Sequence, residues 1–217
     1  MINYDNTSEG FKSHNPDELM IIPPNKKAEM IMKEIKKSKP NLNLVSDLIV
    51  LGANLEWEDE NNEGFAPLHL AVRLGGVETV RMLIGAGANV NAQHKWGWTP
   101  LHFATYRECV EIVRMLIDVG VDLNVQDNDG NTPLHLAVLK GQVEIVRMLI
   151  DGGVDLNVQD KRDQTPLHWA ASLGSIGNVE VTRILIDAGA RKDIPNYEGK
   201  LPYDLADTYE LKNLLKS

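Results

Sequence analysis

Histidine is the residue type in this sequence that first invites a chemical reading. The chain has six, and four of them, His69, His102, His135 and His168, recur at intervals of 33 residues. Several imidazoles together point to zinc, whose ligand nitrogens must all lie about 2.0–2.1 Å from one ion. A strict period instead assigns one histidine to each of four successive units. Packed neighbours of that kind stand roughly 8–10 Å apart, so the four rings cannot converge on a single metal. Each histidine is expected to satisfy hydrogen bonds within its own turn, as buried polar groups generally must.

The other candidates fare no better. Cys109 lies at the start of a helical pattern, where a helix N-terminus can lower a thiol pKa, but no partner base is indicated. The carboxylates Glu56, Glu58, Asp59 and Glu60 lack the alternating ligands and closing glutamate of a calcium loop and read as a solvated turn. Gly75-Gly76 and Gly152-Gly153 lack the spacing and the following Lys-Ser or Lys-Thr of a phosphate loop, and read as helix terminators. No catalytic, cofactor-binding or metal-binding residue is assigned, and the chain is not expected to be an enzyme.

The bulk properties narrow the partner. With 22 Lys and Arg against 31 Asp and Glu, the net charge over 217 residues is −9. Nucleic-acid binding needs a basic footprint, so it is not expected. Hydrophobic residues at 43% and charged residues at 24% describe an ordinary globular chain. No apolar run is long enough to insert into a bilayer. Residues 1–11 have no basic start followed by an apolar core. The single cysteine rules out an intrachain disulfide. A cytoplasmic location is the expectation.

The elements that must position these residues follow from the repeat. Ala66-Pro67-Leu68-His69-Leu70-Ala71 returns as Thr99-Pro100-Leu101-His102-Phe103-Ala104, as Thr132-Pro133-Leu134-His135-Leu136-Ala137 and as Thr165-Pro166-Leu167-His168-Trp169-Ala170. A weaker copy, Leu201-Pro202-Tyr203-Asp204-Leu205-Ala206, is delayed to an interval of 36 by extra residues around Ser175–Gly177. Thr followed by Pro is a helix N-cap and first helical position. A short apolar helix follows, closed at Gly75 or Gly141 in a left-handed conformation. A second helix carries Val-Glu-x-Val-Arg-Met-Leu-Ile, with its glutamate in the first turn, where the helix dipole favours it. Gly87, Gly120, Gly153 and Gly189 end the second helices, and polar turns lead into the next unit.

This period and phrase closely resemble the ankyrin repeat. The resemblance implies an all-α solenoid of stacked helix-turn-helix units with projecting hairpin turns, about six repeats counting both degenerate caps. Residues 1–25 read as a flexible tail or extended strap, 26–60 as a degenerate N-terminal cap, and 61–93, 94–126 and 127–159 as full units. Residues 160–195 form a unit with a three-residue insertion, and 196–217 a C-terminal cap. The Thr and His of the phrase are expected to bond to each other at Thr99/His102, Thr132/His135 and Thr165/His168, a partner that Ala66 denies His69.

The resemblance further implies a protein partner, held on the concave face by the hairpin tips and the ends of the first helices. By position these are Phe65, Arg73 and Leu74 in the first full unit, and Lys95, Trp96, Trp98, Tyr106 and Arg107 in the second. The third offers Asn128, Asp129, Leu139 and Lys140, and the fourth Lys161, Arg162, Ser172 and Leu173. Aromatic and arginine residues, the types that dominate binding hot spots, gather in the first two units, whereas Trp169 is expected to pack in the core. Glu108 and Asp163 stand where other units have glycine, so strained turns are expected there. The expected function is a protein-interaction module. An inhibitory or regulatory subunit of an enzyme, or a microbial effector acting on host proteins in the host cytosol, are the alternatives. A monomer is expected, with self-association through exposed aromatics left open.

Overall fold

The computed structural model describes residues 16–59, 63–173 and 176–216. Within them the chain forms thirteen helices. They are α1 (Pro16–Met20), α2 (Pro24–Ile35), α3 (Leu42–Val50), α4 (Pro67–Leu74), α5 (Val77–Gly85), α6 (Pro100–Tyr106), α7 (Val110–Asp118), α8 (Pro133–Leu139), α9 (Val143–Asp151), α10 (Pro166–Ser172), α11 (Ile176–Asp187), α12 (Pro202–Leu205) and α13 (Tyr209–Leu215). Helices α4, α6, α8, α10 and α12 each begin at the proline of the recurring phrase, where a missing N–H leaves no bond unmade. The residue before each proline is extended, as a pre-proline residue must be.

Each first helix packs on its own second helix and on the first helix of the next unit, giving two layers: α2, α4, α6, α8, α10 and α12 in one, α3, α5, α7, α9, α11 and α13 in the other. The chain is therefore a solenoid. One apolar core runs through it, from Leu19, Ile31 and Leu48 through Leu101, Leu116 and Leu149 to Leu185 and Leu211. The segment expected to be a tail or strap contributes to this core from residue 16 onward, because α1 buries Leu19. Residues 1–15 lie outside the described part, as do 174 and 175 of the expected insertion.

Between the helix pairs, the turns bond to one another in series. Lys95 N–H donates to Glu63 O at 3.1 Å, Asn128 N–H to Trp96 O at 3.0 Å, Lys161 N–H to Asp129 O at 3.0 Å and Tyr197 N–H to Arg162 O at 3.1 Å. Gln93, Gln126 and Gln159 each donate their amide to a carbonyl of their own turn and to one of the next unit. These bonds hold the hairpin tips in a row. Gly97 and Gly130 make the close approach feasible: both have positive φ, and a Cβ on either would sit about 2.7–2.8 Å from backbone atoms of the next turn. Glu108 (φ 56°) and Asp163 (φ 55°) adopt the left-handed conformation that glycine holds in the other units.

Candidate protein-binding surface

The surface on the first-helix side is built on the recurring histidines. At Thr99 the backbone N–H donates to His102 Nδ1 at 3.1 Å, and the threonine hydroxyl lies 2.8 Å from the same nitrogen. The same pair of contacts holds His135 and His168. On its Nδ1 side His69 keeps only the Ala66 N–H, at 3.2 Å, while its Nε2 meets Ala92 O at 2.7 Å. The opposite nitrogen reaches into the next unit: His102 Nε2 to Asn131 O at 3.1 Å, His135 Nε2 to Gln164 O at 3.1 Å and His168 Nε2 to Lys200 O at 3.2 Å. A backbone N–H can only donate and a carbonyl can only accept, so these rings are neutral and carry their proton on Nε2. Burial pushes His69 and His102 down to about 4, and lowers His135 and His168 as well. Each imidazole thus ties a first helix to the following hairpin. Among the described residues, no three His, Cys, Asp or Glu side chains are grouped to hold a metal.

The turn preceding each phrase is held by one side-chain acceptor. Asp127 Oδ1 accepts from Asp129 and Asn131 N–H, and Asp160 Oδ1 from Arg162 and Gln164 N–H. In the second unit His94 takes this position, and its Nδ1 accepts from Trp98 N–H at 3.0 Å. This histidine meets Phe65 and Phe103, each at a ring-centroid distance of 5.0 Å.

That aromatic cluster corrects two of the expected contact residues. Phe65 is 1% exposed. Its ring is walled by His69, His94 and Phe103 and roofed by Arg73, whose guanidinium carbon lies 4.4 Å from the ring centre. Phe65 therefore shapes the surface from beneath and cannot touch a partner, while half-buried Arg73 presents its outer edge. Trp98 is also folded back. It packs on His102, Phe103 and Tyr106 and donates its indole N–H to Asp127 Oδ2 at 3.1 Å. The reason lies in the next unit, where Asp127 Oδ2 accepts from the indole as well as from the Asn131 side-chain amide at 3.2 Å.

The other expected residues remain outward. Trp96 is 52% exposed, with the Lys95 ammonium 5.3 Å from its ring centre. Tyr106 is 43% exposed and lies under the Lys140 ammonium at 4.2 Å. Arg107, Asn128, Asp129, Lys161 and Arg162 are exposed. Leu74, Leu139 and Leu173 are 48%, 40% and 36% exposed at the ends of α4, α8 and α10, so with Tyr106 one apolar side chain stands uncovered in every full unit.

Between the third and fourth units, this face deepens into a groove of about 390 Å³. Trp169 lines it alongside Leu139 and Leu173, against the expectation that Trp169 would be a core residue. Leu70, Phe103 and Leu136 are buried at the same place in the phrase, whereas the indole is half-buried, packed on the core along one side and open to the groove. Its N–H donates to Asp160 Oδ2 at 3.0 Å and its ring meets His135 edge-on at 5.4 Å. The signal was its size at a variable position of an otherwise constant phrase.

The model for "Ankyrin repeats (3 copies)" matches residues 31–127, 78–160 and 119–196. The chain belongs to the ankyrin-repeat family. No curated protein matches it. Ankyrin repeats generally mediate protein–protein interaction and are typically non-catalytic. The Thr–His bonds of three units and the imidazole bridges between units are the parts of this ankyrin stack that hold its recurring histidines neutral. No helix among the described residues is long and apolar enough to cross a membrane.

Proposed function

We propose that this chain is a protein-interaction module whose first-helix face, from Trp96 to Leu173, receives a protein partner. The observation that carries the reading is the row of uncovered apolar side chains on that face. Leu74, Tyr106, Leu139 and Leu173 are all exposed at the ends of first helices whose other apolar residues, the half-buried Trp169 apart, are buried, and Trp96 is exposed as well. A contiguous apolar row framed by polar and charged residues is the usual anatomy of a protein contact. The row coincides with the positions at which the units differ, whereas the constant Thr, Pro and His positions are consumed by the scaffold.

A binding role of this kind requires no reaction. A reducing cytoplasm is proposed as its setting, in keeping with the single, half-buried Cys109. The test is capture of binding proteins from extract by the wild-type chain and by a Trp96→Ala/Tyr106→Ala/Leu139→Ala variant. The variant should retain its helical signal and melting temperature but lose most captured protein, since Trp and Tyr are among the residue types that dominate binding energy, where truncation costs about 2 kcal/mol or more. An identical captured set from both would reject this face as the binding surface.

A further inference from the structure

Resting on that reading, we infer that the groove between the third and fourth units takes an acidic peptide segment bearing an apolar anchor. The charge pattern argues for it. The chain as a whole carries −9, yet the ends and tips of this face present six cations, Arg73, Lys95, Arg107, Lys140, Lys161 and Arg162, against four exposed carboxylates, Glu63, Glu108, Asp129 and Asp163. On the opposite layer cations meet carboxylates: Arg81 faces Glu111, Arg114 faces Glu144 and Arg147 faces Glu180, at 3.4–3.8 Å. None of the six cations on the first-helix face makes an ion pair among the described residues. Arg73, Lys95 and Lys140 lie over aromatic rings instead, and Lys161 and Arg162 flank the groove without an ion pair among the described residues.

The groove itself separates the two parts of such a ligand. Leu139, Trp169 and Leu173 supply an apolar floor and wall for a leucine- or aromatic-sized side chain. Two carboxylates also line it, Asp129 and Asp160. Asp160 is spent internally, with Oδ1 accepting two backbone N–H groups and Oδ2 the Trp169 indole N–H. Asp129 makes no side-chain bond and opposes one of the two cations. The formal charges of the lining balance, but with the Asp160 oxygens occupied the charged groups left to meet a ligand beside the apolar wall are Lys161, Arg162 and Asp129, two cations to one carboxylate. A peptide with glutamate or aspartate flanking the anchor complements that arrangement, and a lysine-flanked peptide is repelled by it.

The experiment is fluorescence anisotropy with three labelled peptides sharing one leucine-tryptophan core, flanked by glutamates, by serines or by lysines, titrated with the full chain at low and high salt. The glutamate-flanked peptide should bind tightest, and its affinity should fall about tenfold or more as salt screens the contact. Lys161→Glu/Arg162→Glu should reverse the ranking in favour of the lysine-flanked peptide. Asp129→Asn should tighten the glutamate-flanked one a few-fold. Leu173→Asp should abolish binding of all three while leaving the circular dichroism and melting intact. Equal binding of the three peptides, or no binding of any, overturns the inference. Protein capture on the Trp96–Tyr106 part of the face would then still stand or fall by its own test. A concentration-dependent dimer in light scattering that Leu173→Asp dissolves would also overturn it, by assigning the groove to a second copy.

Discussion

At the residue scale, the same side chain has different fates in different units, and the difference is set by its partner. The threonine at the start of the phrase is the clearest case. In three units its hydroxyl sits 2.8–2.9 Å from the histidine Nδ1, whereas Ala66 leaves His69 with a single backbone donor on that side. Ala66→Thr should therefore add a bond to a preformed acceptor in a conformation the backbone already has. A stabilisation of about 1 kcal/mol is expected, from the cost of removing threonine caps elsewhere, measured as a raised urea midpoint with unchanged slope. Unchanged or lowered stability would mean that the Phe65 cluster beside Ala66 has no room for the extra atoms. That cluster also shows what was not legible at this scale. Phe65 and Trp98 occupy the position that in other units holds polar Asn131 and Gln164, so residue type alone marked them as contacts. Their burial depends on Arg73 covering one ring and Asp127, a unit away, accepting from the other. Neither pairing is visible within a single repeat.

At the scale of the element, hairpins and helix ends were largely legible because their constraints are local. Proline after a cap residue marks where each first helix starts, and glycine marks where the chain must turn left-handed. Even the exceptions followed: Glu108 and Asp163 adopt positive φ at places where other units have glycine. What the pattern could not distinguish is a glycine needed for its φ from one needed for close approach. Gly130 and Gly153 separate the two. Both have φ above 80°, but a Cβ at Gly153 meets nothing within 4 Å, while one at Gly130 would lie 2.8 Å from Lys161 N. Gly153→Ala is expected to cost about 1 kcal/mol through backbone strain alone. Gly130→Ala should cost roughly 1–3 kcal/mol more, because the next turn must move. It should also break the hydrogen bond between Lys161 N–H and Asp129 O and so loosen the groove. Chemical denaturation of the two variants gives the difference, and equal losses would show that the hairpin row is not tightly spaced.

At the scale of the whole molecule, the period of 33 made the architecture readable, because a solenoid repeats one local solution and each unit contacts only its neighbours. The same repetition distributes one weakness along the entire stack. His69, His102, His135 and His168 sit one per unit, all neutral and all bonded through both nitrogens, and His94 lies beside the first two with its own value lowered by burial. An unfolded imidazole takes up a proton below its ordinary value of 6.5, whereas His69 and His102 in the folded chain resist until about 4. Between those values the unfolded state binds more protons, so stability rises with pH across the window and is lost as pH falls through it. The exposed carboxylates with lowered values, Glu29, Asp193 and Glu198, start from 4.5, 3.8 and 4.5. They lose their contribution only below those values, which leaves pH 6.5 to 5 to the histidines. For His69 and His102 together the loss by pH 4.5 is on the order of 5 kcal/mol, comparable with the whole stability of many domains. Urea midpoints should therefore fall steadily from pH 7 to pH 5, with the chain near its unfolding threshold by pH 4.5. A midpoint that stays level down to pH 5 would show that these imidazoles are protonated in the folded chain and that the bridges between units do not hold them neutral.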